Sequence, residues 1–213
     1  MTKAEMRASL LRLMRNRDTV TAAVADLALW NAYCKLCRGR LVDEERTRRN
    51  VTLFFPELEK TAELSFFQLD ASSGKWYAAF PVDCDAPRLV YYAGDKLPRV
   101  KPVALFSRDD VDQEACAFDH ANRRVYLSGS DVPTEAVWIV YYAKPAAWAD
   151  DASEPEIPVA YHNVIPLIAA RDLYNEFGED ERSRAFDAQI PHRLAELSTT
   201  RGLIDGFAPM PKL

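Results

Sequence analysis

Cys34-Lys-Leu-Cys37 is the first place in this chain where residue type and spacing match a known chemistry. Two thiolates separated by two residues make half of a tetrahedral zinc site, or the working pair of a disulfide reductase. A structural zinc needs a second close pair, and Cys84 and Cys116 stand alone. A redox pair needs its first cysteine at a helix start after a strand, where the dipole lowers its pKa. Here "ADLALWNAYCKLCRGRLVDEERTR" reads as helix on both sides, so the spacing predicts two reduced thiols one helical turn apart.

The acidic residues give the next candidates. Asp83-Cys84-Asp85 sets two carboxylates on one side of an extended run, a conceivable divalent-cation pair that needs further oxygen ligands from elsewhere. Asp109-Asp110-Val111-Asp112 is a denser cluster, which a solvated turn explains equally well. His120, His162 and His192 have no Ser or Cys beside them in a nucleophile setting and make no two-histidine helical pair. With seven glycines and no glycine-rich run, there is no phosphate loop. A triad assembled from distant residues stays open. The expectation is no catalytic residue, no metal and no cofactor. Trp76, Tyr77, Phe80, Tyr91, Tyr92, Tyr126, Trp138, Tyr141 and Tyr142 form an aromatic set of the kind a glycan or single-stranded nucleic acid stacks on. Strand alternation sends about half of them inward, and Lys and Arg are not interleaved with them, so core packing is the favoured reading.

The elements that would position these residues follow from periodicity. The chain has 213 residues, 48% of them hydrophobic, enough for one domain or a compact domain with an appendage. No stretch approaches the roughly 20 apolar residues of a membrane helix. "MTKAEMRASLLRLMRNRD" mixes charge into its leucines and so does not read as a signal peptide, which implies a cytosolic protein. Charge is uneven: eleven Lys and Arg against six Asp and Glu through Arg49, then 16 against 26, balances of +5 and −10. Such a dipolar chain suits head-to-tail subunit contacts, or a basic face toward nucleic acid; merely solvated faces explain it as well.

A short amphipathic helix is predicted from about Lys3 to Met14, with Leu10, Leu11, Leu13 and Met14 on one side. Asp18 or Thr19 should cap a longer helix carrying Val20, Val24, Leu27, Ala28, Trp30, Leu36 and Leu41. From Asn50 the period shortens. "KWYAAFPVD", "APRLVYYAGDKLPRVKPVALF" (two strands about an Ala-Gly-Asp-Lys turn), a hairpin about His120-Ala121-Asn122, and "EAVWIVYYAKP" read as short strands of an antiparallel sandwich or barrel. After an acidic linker, Pro158 opens a helix that Gly178 ends. A last helix, from about Glu179 to Leu197, carries Ala185, Phe186, Ile190, Leu194 and Leu197, with a kink or break expected at Pro191. The fold class is α+β: a bundle of N- and C-terminal helices with a small antiparallel β domain inserted. Its parts are 1–49, 50–145, 146–198 and an extended tail over 199–213.

This order of features resembles the head-to-tail adaptor (connector, or head-completion) proteins of tailed bacteriophages. The similarity covers about residues 76–197. It runs from "YAAFPVDCDAPRLVYYAGDKLPRVKPV" through "ACAFDHANRRVYLSG" to "VWIVYYAKPAAWADDASEPEIPVAYHNVIPLIAARDLY", a strand closing in Tyr-Tyr-x-x-Pro, an acidic linker, then Ile-Pro-x-x-Tyr-His at a helix start. "VDCD" departs from the family's more usual aromatic after the aspartate. The resemblance implies a virion neck protein assembled in host cytoplasm. It implies a homo-oligomeric ring, usually twelve-fold, bound to the portal protein and offering a platform to a tail or neck protein, with DNA passing non-specifically through its channel. It implies no membrane, enzyme or cofactor. Competing classes are another neck component, a β-sandwich ligand-binding module, and an enzyme with a non-local site.

Two groups are candidate contact residues under that reading. Arg38, Arg40, Arg46, Arg48 and Arg49 gather past the long N-terminal helix, where they would meet channel DNA through phosphate or neighbouring subunits through carboxylates. Leu203, Ile204, Phe207 and Met210 are apolar on a segment whose Gly202, Gly206, Pro209 and Pro211 oppose a helix. Such a segment awaits a partner surface, which in the resembling family is the portal.

Overall fold

In the computed structural model, which describes residues 1–15, 17–38, 55–110 and 112–201, the chain starts on a capping box. The Thr2 side chain accepts from the Glu5 N–H and the Glu5 carboxylate accepts from that of Thr2. This satisfies two N–H groups that a helix start otherwise leaves bare. Helix α1 (Lys3–Leu13) buries Met6 and Leu10, with Met14 just past its end, a spacing of four that keeps one face inward. Leu11 and Leu13 are only half-buried.

Helix α2 (Ala22–Cys37) is capped by Thr21, whose side chain accepts from the Val24 N–H, rather than by Asp18 or Thr19. Its inward face also differs from the expected one. Ala25, Leu29, Ala32, Tyr33 and Leu36 are buried, while Val24 and Leu27 are exposed. Alanines at 25 and 32 let a neighbouring helix approach closely, so the buried stripe follows small residues that a search for large ones passes over. Leu41 lies outside the described residues.

Helix α4 (Val159–His162) and helix α5 (Val164–Glu176) follow the linker, and α5 ends at Gly178. Gly178 takes φ +71, the left-handed conformation that lets Glu179 N–H reach back to the Tyr174 carbonyl. Helix α5 is the hub of the helical unit. It packs on α1, α2 and α6 (Asp180–Arg201) and buries Ile165, Ile168, Ala169, Ala170 and Leu173. Polar ties reinforce it: Lys35 to Asp172 at 2.7 Å, and Tyr174 hydroxyl to the Leu13 carbonyl at 3.0 Å. Helix α6 turns Ile190 and Leu194 inward, with Phe186 and Leu197 half-buried and Ala185 exposed. Pro191 does not break it.

Residues Leu58–Lys144 form a second unit, the remainder of the chain making the helical one. Strands β1 (Glu59–Leu64), β8 (Val137–Ala143), β4 (Cys84–Tyr92) and β5 (Asp95–Lys96) make one sheet in that order. Strands β2 (Gln68–Asp70), β3 (Lys75–Ala79), β7 (Arg124–Leu127) and β6 (Cys116–Asp119) make the other. All their ladders are antiparallel. Alternation decides the faces. Val137, Ile139, Tyr141 and Ala143 of β8 join Val90, Phe80, Phe118, Val125 and Leu127 in one core between the sheets. The molecule is thus α+β, a helical unit built from both ends of the chain and an inserted antiparallel sandwich, as the periodicity predicts.

One expected strand is replaced. Within "DKLPRVKPVALF" only Asp95–Lys96 pairs as strand, and Pro102–Phe106 is a short helix, α3, with proline at its start. Pro98 and Pro102 cannot donate to a ladder, whereas proline suits a first helical turn. Helix α3 sets Leu105 over Ala115, Ala117 and Tyr126 on the outer face of the second sheet. By contrast Pro87 sits inside β4 at a register shift, upstream of the two residues that pair with β5.

Truncating the hub should unfold the helical unit. Ile168→Ala removes a fully buried side chain and is expected to cost about 2–5 kcal/mol in chemical denaturation. The exposed control Leu27→Ala should change stability by less than about 0.5 kcal/mol.

Candidate interaction surfaces

The acidic linker is tied to the helices at several points. The carbonyls of Ser153 and Asp151 accept from the N–H groups of Lys3 and Ala4 at 2.8 and 3.1 Å, satisfying the first turn of α1. The Arg7 guanidinium bridges two carboxylates, Asp26 on α2 (2.5 and 2.8 Å) and Asp151 in the linker (2.6 and 3.1 Å), and Lys3 joins Asp26 at 2.9 Å. Asp26 balances two effects: burial pushes its pKa up, but Arg7 and Lys3 outweigh it and hold the carboxyl below its ordinary range. The Asp151 carboxyl is lowered chiefly by Arg7, and the Arg7 guanidinium is raised by Asp26 first and Asp151 next. Trp148 stacks on Tyr33 at 5.4 Å with planes 6° apart, and Trp30 meets both rings edge-on. The Tyr33 hydroxyl, which burial drives to a higher pKa, accepts from the Glu156 N–H at 2.8 Å.

The residues with candidate chemistry do not converge. Cys34 and Cys37 lie on α2, half-buried and reduced. Cys84 and Cys116 are buried in the sandwich, where loss of water pushes each thiol up to about 11 and away from reactivity. Asp83 fastens strands: it accepts from Lys60 at 2.8 Å and from the Tyr141 hydroxyl at 2.9 Å, and its backbone carbonyl accepts from Lys144 N–H at 2.7 Å. Lys60 is the main reason its carboxyl is lowered. Burial, then the bond to Asp83, pushes the Tyr141 hydroxyl up to about 12. Asp110 is held by Arg108 at 2.5 Å. His120 lies in the hairpin turn against Phe80 and Phe118, His162 is buried with Nε2 at 2.8 Å from the Ile157 carbonyl oxygen, and His192 is exposed on α6. Among the described residues, no three His, Cys, Asp or Glu side chains are arranged to hold a metal ion.

The aromatics are dispersed over three environments. Phe80 and Tyr141 are in the sandwich core. Tyr77 and Tyr126 lie against α3, with the Arg124 guanidinium 4.1 Å from the Tyr77 ring centre. Trp138, Tyr142 and Tyr91 share the outer face of the first sheet by register. Arg38 is exposed at the C-cap of α2. Arg40, Arg46, Arg48 and Arg49, and the tail residues Leu203, Ile204, Phe207 and Met210, lie outside the described residues.

Two surface features escaped the sequence. One is Phe66, 87% exposed with φ +66, beside Phe67, which packs on the core. The pair Phe66-Phe67 was the available signal. The other is a cleft of about 430 Å³ with Leu89, Leu97 and Pro98 lining it between Arg88, Lys96 and Arg99. Its residues come from β4, β5, the segment after them and Cys116 of β6.

Among the described residues the side chains with candidate chemistry do not meet in one place, and the chain divides into a helical unit and an inserted sandwich. The profile of the family described as SU10 adaptor protein matches residues 1–206, and the chain belongs to that family. It is a phage adaptor protein, in agreement with the resemblance to head-to-tail adaptors. Among individually curated proteins, none matches the sequence. No described helix is long and apolar enough to cross a membrane.

Two predictions follow from these contacts. Asp26, Asp151 and Asp83 all have carboxyls lowered by folding. The stability they add is present above the ordinary carboxylate pKa near 4 and is lost as pH falls through their lower folded values. Thermal melts from about pH 5 to 2 should show that loss, and Arg7→Met should flatten the part due to Asp26 and Asp151. Lys75 is 5% exposed, and its ammonium donates to the carbonyls of Arg108 (2.5 Å) and Ser128 (2.6 Å). Lys75→Ala takes their charged donor from both carbonyls, and urea denaturation should show a loss of about 1.5–3 kcal/mol.

Proposed function

We propose that this adaptor assembles into a ring, usually twelve-fold in the family it resembles, beneath the portal protein in the virion neck. The ring extends the DNA channel and gives a tail or neck protein its platform, without catalysis or cofactor. The observation that carries this reading is the family match over residues 1–206. The charge asymmetry supports it. A ring multiplies Arg38, Arg40, Arg46, Arg48 and Arg49 by the subunit number, either toward DNA phosphates without sequence preference or into carboxylates of neighbouring subunits. The apolar tail residues Leu203, Ile204, Phe207 and Met210 anchor each subunit to the portal. Burial of such side chains contributes roughly 1.5–3 kcal/mol each before ordering costs, repeated around the ring.

The test is to mix the purified protein with the portal protein of the same phage and image the product by electron microscopy. A ring on the portal is expected; a monomer with no portal affinity would discard the reading in favour of a ligand-binding module. Deletion of residues 199–213 should leave a folded protein that no longer attaches. Continued attachment would place the anchor elsewhere, and unfolding would assign the tail to the core. If an assembled structure buries all five arginines against neighbours, their channel role is wrong.

A further inference from the structure

The strand orders β1-β8-β4-β5 and β2-β3-β7-β6 give the sandwich two lateral edges. Strands β1 and β2, joined by residues 65–67, share one. Strands β5 and β6 share the other, where Arg99, just past β5, bridges to Cys116.

Phe66 stands at the first edge. A bulky side chain rarely takes a left-handed backbone, and a large ring kept in water forgoes its burial. Both costs meet at this one residue, while Phe67 beside it packs inward. Leu69 is also 53% exposed there. From Glu59 to Gly74 the chain carries Glu59, Glu63 and Asp70 against one cation, Lys60, which pairs with Asp83. At the second edge lies the cleft, apolar within and bordered by Arg88, Lys96 and Arg99, with no carboxylate lining it. Arg88 is already paired with Glu59 and lies over the Tyr142 ring. The Arg99 guanidinium sits 4.8 Å from the Phe118 ring centre and 3.5 Å from His120 Nε2.

We propose that these edges are the two halves of one contact between copies of this chain, Phe66 of one copy entering the cleft of the next. Glu63, and Asp70, whose carboxylate also accepts from Ser72, Ser73 and the Tyr126 hydroxyl, then face Lys96 and Arg99. Charge complementarity selects the second copy as occupant: an acidic, apolar projection meets a cationic, apolar recess, and a ring set among guanidinium and ammonium groups gains cation–π attraction. Because projection and recess lie on opposite edges, the contact repeats in one direction from copy to copy, the heterologous arrangement that forms a ring when the rotation between copies closes. A phosphate backbone would engage the cations but leaves Phe66 unexplained. The proposal rests on the ring reading above.

The test uses the full chain and two variants. Phe66→Asn removes the projection with a residue that tolerates the left-handed backbone, and Arg99→Glu spoils the recess. Thermal melts show that each remains folded. In sedimentation velocity over a concentration series, wild type is expected to self-associate and each variant alone to do so at least about tenfold more weakly. An equimolar mixture should give a heterodimer and nothing larger, since each such pair retains one intact projection and one intact recess. Rings unaffected by either variant, or a mixture without the heterodimer, overturn this contact while leaving the ring reading in place. Loss of DNA affinity in Arg99→Glu with unchanged self-association also overturns it, assigning the cleft to phosphate. A wild type that stays monomeric at every concentration, alone and with the portal, removes the ring reading and this contact together.

Discussion

The helical unit depends on Arg7. Its guanidinium holds a carboxylate on α2 and another in the linker, so three pieces of chain far apart in sequence share one charge. Exposed ion pairs contribute little singly. This one is reinforced by backbone contacts, since the same linker puts two carbonyls onto the first turn of α1. The linker's prolines and acids then have a physical cause. Prolines reduce the entropy lost on fixing an extended segment, and its acids meet the basic first helix. The returning chain is thus bound by the helices that preceded the insertion before α4 and α5 begin.

The same logic governs the sandwich. A β unit that both receives and returns the chain at one end must close that end, and Asp83 does so by holding Lys60 of β1 and Tyr141 of β8. Lys75 closes a second weak point, where the carbonyls of Arg108 and Ser128 are withdrawn from water. The Asp83 carboxylate, a conceivable cation ligand in the sequence, is here bound by Lys60 and Tyr141 of neighbouring strands.

How much of this was legible depended on the range of the physics. The single helix expected from Pro158 to Gly178 is divided at Asn163 into α4 and α5, but Gly178 acts through local backbone geometry and the Tyr-Tyr strand through period-two burial, so both were readable. The inward face of α2 was not: Ala25 and Ala32 are buried because α5 comes close, a fact about a partner more than 120 residues away. Helix α3 was missed for a related reason. A Pro-interrupted apolar run fits strand or helix until the outer face of the second sheet supplies Tyr126 and Ala117 for Leu105 to cover. The cleft and the exposed Phe66 belong wholly to tertiary structure, and the arginine cluster past Arg38 and the apolar tail lie outside the described residues.

Edge strands constrain what the sandwich surface can offer. A long apolar edge pairs with any passing strand through its backbone. Strand β1 opposes this with exposed Lys60 and Glu63, and β2 and β5 are only three and two residues long. On the cleft side, residues 98–100 already pair with β6 at Cys116. Backbone augmentation is therefore blunted at both edges, and what remains for recognition is side-chain shape and charge. Such recognition depends on particular residues meeting in one register, which open-ended sheet pairing does not require. Blunted edges of this kind suppress open-ended sheet growth and leave any directed contact to exposed side chains such as Phe66 and Leu69.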